Sequence, residues 1–428
     1  MSRLPSLFDR VGVLRPLRLR DFRLLWLGQT ISFVGDGVYI FAVAWLIYRD
    51  LDASPATFAL VGAAWSLPQV LLLMATGALT DRLDRRHLMI AGDLLRLVAI
   101  AGIGALVLSD AVDIPILVAL VFVYGAGQAL FGPAFNSIIP MIVPEDLLVQ
   151  ANSIGQVVRP LSLIVVGPIV GALLVRGVGT GWAFVFDATT FAVSAVCVWL
   201  MRVRRDPSAP AVTTRLRDDI REGIRYVRSV RWLLMGLLGG MVSLFCVWGP
   251  WETLVPFVIS RDLKGSELQL ALVYGAGGVG SVIAGITLAQ RGGLPRKPVT
   301  VMYVAWAIGM GMTAGFGLIS AVWQGMVVAL IAEASIGVLV VIWFTLLHRL
   351  VPQELLGRVT SLDWMITILG APVSFLIVGP LAAIFGADAV LIVAGALGAA
   401  ATIFFMTRRG ALDPERDGSL AEPVHVSP

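Results

Sequence analysis

Charge is scarce in this chain. Only 14% of its 428 residues are Asp, Glu, Lys or Arg, against 58% hydrophobic, a balance that excludes a water-soluble fold of this length. Lysine is confined to Lys264 and Lys297, and no G-x-x-x-x-G-K-[ST] loop occurs, so the sequence gives no nucleotide-fuelled machine. The three histidines, His87, His348 and His425, fall in loops or the tail, which leaves carboxylates as the groups able to carry protons across a membrane. Cys197 and Cys246 both sit in apolar runs, a number and setting that exclude a disulfide framework, and both are expected to be reduced. No metal-spaced His/Asp set or nucleophile–base pairing stands out, so neither a metal, a cofactor nor an enzyme is expected. The formal charge of +4 resides in short loops that would face lipid headgroups, which makes membrane lipids the expected partner and not nucleic acid.

What the chain has is apolar length. Runs bounded by turn or charge signals begin near Leu24, Thr57, Leu88, Ile114, Ser153, Gly181, Leu233, Leu268, Val299, Val322, Ser361 and Ala387, each near the ~20 residues that a helix needs to cross ~30 Å of hydrocarbon. The fold class expected is therefore an all-α membrane protein with twelve transmembrane helices. Arg49, Arg176, Arg261 and Lys264 are the only basic residues in one set of loops, whereas the other set, both termini included, is rich in arginine. By the positive-inside rule this puts both termini in the cytoplasm and the protein in the cytoplasmic (inner) membrane. The start stays basic through Arg23 and lacks a small-residue cleavage pattern, so the first span is expected to remain as an anchor.

The polar stretch from Arg202 to Arg231 divides the chain into two six-helix halves. The expected divisions are a cytoplasmic segment 1–23, a first bundle 24–201, a linker 202–232, a second bundle 233–407 and a cytoplasmic tail 408–428. Inside the linker Leu216, Ile220, Ile224, Val227 and Val230 recur at helical spacing with arginines between them, the pattern of an amphipathic helix on the inner leaflet or of a solvated linker. The halves also repeat: Val143-Pro144-Glu145-Asp146-Leu147-Leu148 aligns with Val351-Pro352-Gln353-Glu354-Leu355-Leu356, and the same shift carries Gly77 onto Gly285, as a parallel duplication requires.

The loop after the second span reads Gly77-Ala78-Leu79-Thr80-Asp81-Arg82-Leu83-Asp84-Arg85-Arg86. It resembles the G-x-L-x-D-R-x-G-R-R signature of the major facilitator superfamily, with Asp84 where glycine is usual. Ser32-x-x-Gly35-Asp36, Asp93-x-x-Arg96, Ala151-Asn152 and Gly357-Arg358-Val359 resemble the twelve-span drug/proton antiporter branch that includes macrolide and siderophore exporters. The resemblance implies a major facilitator fold and a cytoplasmic gate of Gly77, Asp81, Arg82, Arg85, Arg86, Gly357 and Arg358. Gly167-Pro168-Ile169-Val170-Gly171-Ala172 resembles the antiporter signature G-P-x-x-G-G. With Gly277 and Gly278 on the eighth span, Gly167, Pro168 and Gly171 are expected to pack one half against the other.

Ionisable groups in hydrocarbon cost ~2.5–3.5 kcal/mol on insertion scales, so each calls for an interior or watery place. Asp36, Arg159, Asp187, Glu252 and Glu333 are the deep ones. Gln29, Ser32, Asp36 and Tyr39 share one helix face, as do Trp65 and Gln69 on the second span and Tyr124, Gln128 and Phe131 on the fourth. With Trp248 they are expected to line a cavity for a small amphipathic solute, or else to serve interhelical packing. Asp36 is the expected proton-coupling residue, with Glu333 and Glu252 behind it. Asp93, Arg96 and Arg159 are expected in a structural ion network near the cytoplasmic mouth, and the role of Asp187 is open. The function expected is secondary export of a drug-like or natural compound by proton antiport, from a monomer. A siderophore or metabolite exporter, an importer or uniporter, and a non-transporting scaffold or sensor are the rival readings.

Overall fold

The computed structural model describes residues 12–144, 147–202, 216–290 and 294–416. Among the described residues twelve helices are long and apolar enough to span a bilayer, and they are numbered in chain order: Arg20–Asp50, Pro55–Leu72, Arg85–Leu108, Ile114–Ile142, Val158–Val178, Thr180–Leu200, Arg231–Asp262, Glu267–Leu288, Pro298–Phe316, Val322–Leu350, Leu355–Phe385 and Ala387–Met406. Backbone polar groups cannot be left unpaired in hydrocarbon, and a helix pairs its own, so an apolar chain of this length resolves into spans. Prolines such as Pro68, Pro250 and Pro380 lie inside helices, which membrane helices tolerate where neighbours satisfy the freed groups.

The chain forms two compact units. One comprises Met1–Leu51 and Ala64–Thr213, the other Asp52–Ala63 and Thr214–Pro428. In the first, span one packs on spans five and six, and span three on spans four and six. In the second, span seven packs on spans eleven and twelve, and span nine on spans ten and twelve. The same partners recur six spans later, as the duplicated loop sequence predicts. A further repeat lies at a different shift, Arg49 onto Arg261. Span one ends in a π-turn at Leu46–Asp50, sequence LIYRD, and span seven in one at Val258–Asp262, sequence VISRD. Each is followed by a left-handed residue, Asp52 (φ 53°) and Lys264 (φ 52°).

The twelve residues Asp52–Ala63 belong to the first half by sequence and to the second unit by contact. Arg261 pairs with Asp52, the Phe375 ring covers Gly62, and Gly379 approaches the backbone of Ala56. Small residues at these crossings let the start of span two come close to span eleven.

The linker holds a helix, Leu216–Ser229, that packs on the start of span eleven. Val227 joins a buried cluster with Leu233, Leu346 and Leu362, and Gly223 lies under Leu362 and Arg358. Val227 is thus spent on the second unit, while Ile224 on the same helix stays exposed. Arg221, Arg225 and Arg228 stay exposed.

Span ends at the linker side of the first unit are fastened by side chains. Asp84, the departure from the loop signature, caps span three by accepting from the Arg86 N–H at 2.8 Å. Arg86 in turn donates to the carbonyl oxygens of Val198 (3.0 Å) and Trp199 at the end of span six, where four carbonyls lack intrahelical partners and the helix dipole is negative. Replacing Asp84 by Ala should cost about 1 kcal/mol, readable as a lowered unfolding midpoint in detergent, and an unchanged midpoint would remove the capping assignment.

Candidate functional site

The first unit gathers ionisable residues from four spans. Asp36 on span one accepts a hydrogen bond at 2.9 Å from the Tyr124 hydroxyl on span four. Tyr39, one turn further along, packs tilted against Tyr124 with ring centroids 4.6 Å apart and edge-on against Phe184 at 6.2 Å. The step of three between Asp36 and Tyr39 puts both on the face that meets spans four and six.

Arg96 is the centre of the cluster, buried to 1% exposure. Its guanidinium pairs with Asp93 on the same helix face, donates to Gln128 Oε1 at 3.1 Å, and lies 4.4 Å from the ring centroids of both Phe131 and Phe191. Arginine suits such a place because its planar cation is weakly hydrated and stacks on aromatic faces. Residue 96 is eleven positions beyond Arg85, the start of span three, or roughly 16 Å along the helix at 1.5 Å per residue. The pair therefore sits near the middle of the span and not at its mouth, which corrects the sequence expectation.

On span four, Gln128 and Phe131, expected in a solute cavity, both touch Arg96. Gln29 and Ser32 do lie buried beside the cluster on span one, and Gln29 Oε1 and Ser32 Oγ make no hydrogen bond. On span two Trp65 and Gln69 are half-buried, with the Gln69 amide donating to the Trp65 carbonyl at 3.2 Å. Arg159 places its guanidinium 5.6 Å from the Phe33 ring and within range of the Asp36 charge.

Asp187 on span six is the residue the sequence left open. It is fully buried; the Thr190 hydroxyl, which donates to the Asp187 backbone carbonyl at 2.7 Å, also lies 3.4 Å from Oδ1, and Oδ2 has no hydrogen bond. It stands against Gly35 of span one, where a Cβ would come within 2.4 Å of Asp187 Oδ1 and 2.2 Å of Thr190 Oγ1. Only glycine permits this approach. The S-x-x-G-D pattern of span one thus has a spatial reason: the glycine admits a carboxylate from span six next to the aspartate that follows it.

The second unit holds Glu252 on span seven and Glu333 on span ten, half-buried and close enough to act on each other electrostatically. Tyr274 on span eight feels Glu252, and the Glu333 side chain fits against Gly277. Trp248 is half-buried on span seven. Asp363 on span eleven, overlooked in the sequence, accepts from the Trp343 indole N–H at 3.2 Å. It falls eight residues after Leu355 at the start of its span, and the same depth criterion that selected Asp36 could have found it.

Of the glycines expected to join the halves, Gly167, Gly171 and Gly277 have close neighbours in their own units. Gly167 meets Gly37 of span one almost backbone to backbone, and Gly171 fits against Phe41 and Val38. Gly277 meets Glu333, and Pro168 and Gly278 are buried. Small-xxx-small spacing serves any close helix crossing, and here it serves spans one with five and eight with ten. Of the gate, the side chains of Gly77, Asp81 and Arg82 lie outside the described residues. Arg85 lies beside Met141. Arg358 is bonded at 2.7 Å to Glu222 of the linker helix, and Gly357 has open space around it.

Twelve apolar spans among the described residues, arranged as two repeated units, define the class as a polytopic membrane protein. The chain belongs to the Major Facilitator Superfamily, whose family model matches residues 25–367, and it is a multi-pass membrane transporter. It is 23% identical over 363 residues to macrolide efflux protein A of Streptococcus pyogenes, covering 83% of this chain and 88% of the relative. It is 25% identical over 378 residues to the multidrug efflux pump Tap of Mycolicibacterium fortuitum, covering 86% and 89%. Among solved structures, a bacterial homologue of the iron transporter ferroportin in an inward-facing state superposes with a TM-score of 0.68 at 18% identity, covering 91% of this chain and 99% of that one. The nucleoside transporter NupG superposes at 0.67 with 10% identity, covering 90% and 98%.

Proposed function

We propose that this protein exports a small amphipathic compound across the cytoplasmic membrane in exchange for protons, with both termini in the cytoplasm. The observation that carries the coupling is the composition of the cluster in the first unit. Three carboxylates, Asp36, Asp93 and Asp187, stand with Arg96 and Arg159, and Asp93 is committed to Arg96. Carboxylates in excess of cations in a low-dielectric interior exchange protons in place of staying charged. Asp36 is the acceptor that a proton reaches, held by Tyr124, and its release couples to solute exit by alternating access. Glu252 and Glu333 supply negative charge in the second unit, suited to the cationic end of an amphipathic solute.

Export of macrolides or other drug-like compounds is favoured over sugar or nucleotide transport by the efflux relatives and by the aromatic character of the residues around Asp36 and Trp248. The arginine bias of the loops supports the orientation. The test is the susceptibility profile of a host lacking its own pumps. Expression should raise the inhibitory concentration of macrolides or of other amphipathic drugs, and the Asp36→Asn protein at equal abundance should not. A profile unchanged across both classes would count against drug export.

A further inference from the structure

We propose that Asp187 is a second proton-carrying carboxyl that works as a pair with Asp36 across the contact of spans one and six that Gly35 opens. The proposal rests on the antiport reading above. Asp187 is fully buried, and its Oδ2 has no hydrogen-bond partner. Asp93 in the same cluster also has one unpartnered oxygen, but its other oxygen is taken by the Arg96 guanidinium. The partner of Asp187 within hydrogen-bond reach is a neutral hydroxyl, Thr190.

The groups facing Asp187 come from several elements. Span one presents Asp36 and Tyr39, span three presents Arg96, span four presents Tyr124, and its own helix presents Thr190. Arg96 is the one cation among them, and Asp93, Gln128 and two rings already engage it, while Arg159 of span five acts on the Asp36 side of the pair. Two neighbouring carboxylates in such a place cannot both ionise, so they share protons as a unit. The pair then cycles between two bound protons and one. On release an O–H bond of one carboxyl breaks and the proton leaves by water, the other carboxyl keeps its proton, and a proton taken up from the opposite side restores the first.

Gly35 is the structural condition for the pair. Any side chain there would meet Thr190 and Asp187 below 3.0 Å, and Thr190 is β-branched and buried, so the spans and not merely a flexible tip would have to move.

Infrared titration of the purified protein in lipid tests this without a substrate. Asp36→Asn and Asp187→Asn should each remove a protonated-carboxyl band, and the titration midpoint of the surviving carboxyl should move by about one pH unit or more. A survivor that titrates as in the unmodified protein in both variants overturns the pair. Thr190→Val, which keeps the shape of the side chain, should shift the Asp187 band, and it serves if Asp187→Asn does not fold; an unmoved band there also overturns the proposal. In proteoliposomes with labelled erythromycin, Asp187→Asn should lower pH-driven accumulation about tenfold, the equivalent of one pH unit. If the unmodified protein ignores the pH gradient, the antiport reading fails and the pair with it. If the unmodified protein is driven and Asp187→Asn equals it, only the pair fails.

Discussion

Asp36→Asn protein is expected to fold, insert and exchange solute between equal pools, yet to lose concentrative export under a pH gradient. Asn keeps a carbonyl oxygen where Asp36 Oδ1 accepts the Tyr124 hydroxyl at 2.9 Å, so the contact that fixes spans one and four survives. What disappears is the Asp36 proton, which the surviving Asp187 carboxyl, shifted in its titration, does not replace. One pH unit is worth 1.36 kcal/mol, enough for about tenfold accumulation in one-for-one exchange, and the variant should fall to no accumulation at all. The measurement is uptake of a labelled macrolide into inverted vesicles at matched expression. Undiminished accumulation would move the coupling role to Glu333 or Glu252.

Arg96→Leu should damage the fold more than any other single change in the first unit. Removing one partner of a buried ion pair leaves the other charge stranded, at about 3–5 kcal/mol, and here Asp93 is fully buried. The contacts of the guanidinium with Phe131 and Phe191 at 4.4 Å would be lost as well. Arg96→Lys should rescue little, because an ammonium cannot stack between two rings and also reach both Asp93 and Gln128. The double change Arg96→Leu with Asp93→Leu should recover a large part of the loss, since no charge is then left unpaired. Unfolding midpoints in a single detergent separate these cases. A double variant as unstable as the single would show that the pair is not the cause.

The twelve spans were legible because hydrocarbon imposes one length and one secondary structure on the backbone. The duplication was legible where a loop sequence survived at one shift, as at Val143 and Val351. It was missed at Arg49 and Arg261, where the shift is longer by four residues, about one helical turn, which keeps the side chains on the same face. Asp36 and Tyr124 were each legible as polar residues on apolar helices. Their pairing was not, because a helix face is read from one sequence and its partner from another.

Arg96 shows the limit most plainly. Its distance from the span start is countable in the sequence, yet a basic residue in a membrane chain reads first as an anchor near the headgroups. Burial between two aromatic rings appears only once spans four and six are placed. Gly167 and Gly171 read as a sliding contact, and the same spacing serves the fixed crossing of spans one and five. The linker helix was legible as amphipathic through Val227, but which apolar surface it covers depends on the position of Leu362 and Leu346 in space.

The central claim is that solute leaves against its gradient as protons enter. Its most direct test is erythromycin flux into inverted vesicles containing the unmodified protein, with the lumen made acidic relative to the bath. The account predicts accumulation above the bath concentration that vanishes when a protonophore collapses the gradient. Uptake that stops at the bath concentration, or accumulation only when the proton gradient is reversed, would contradict it.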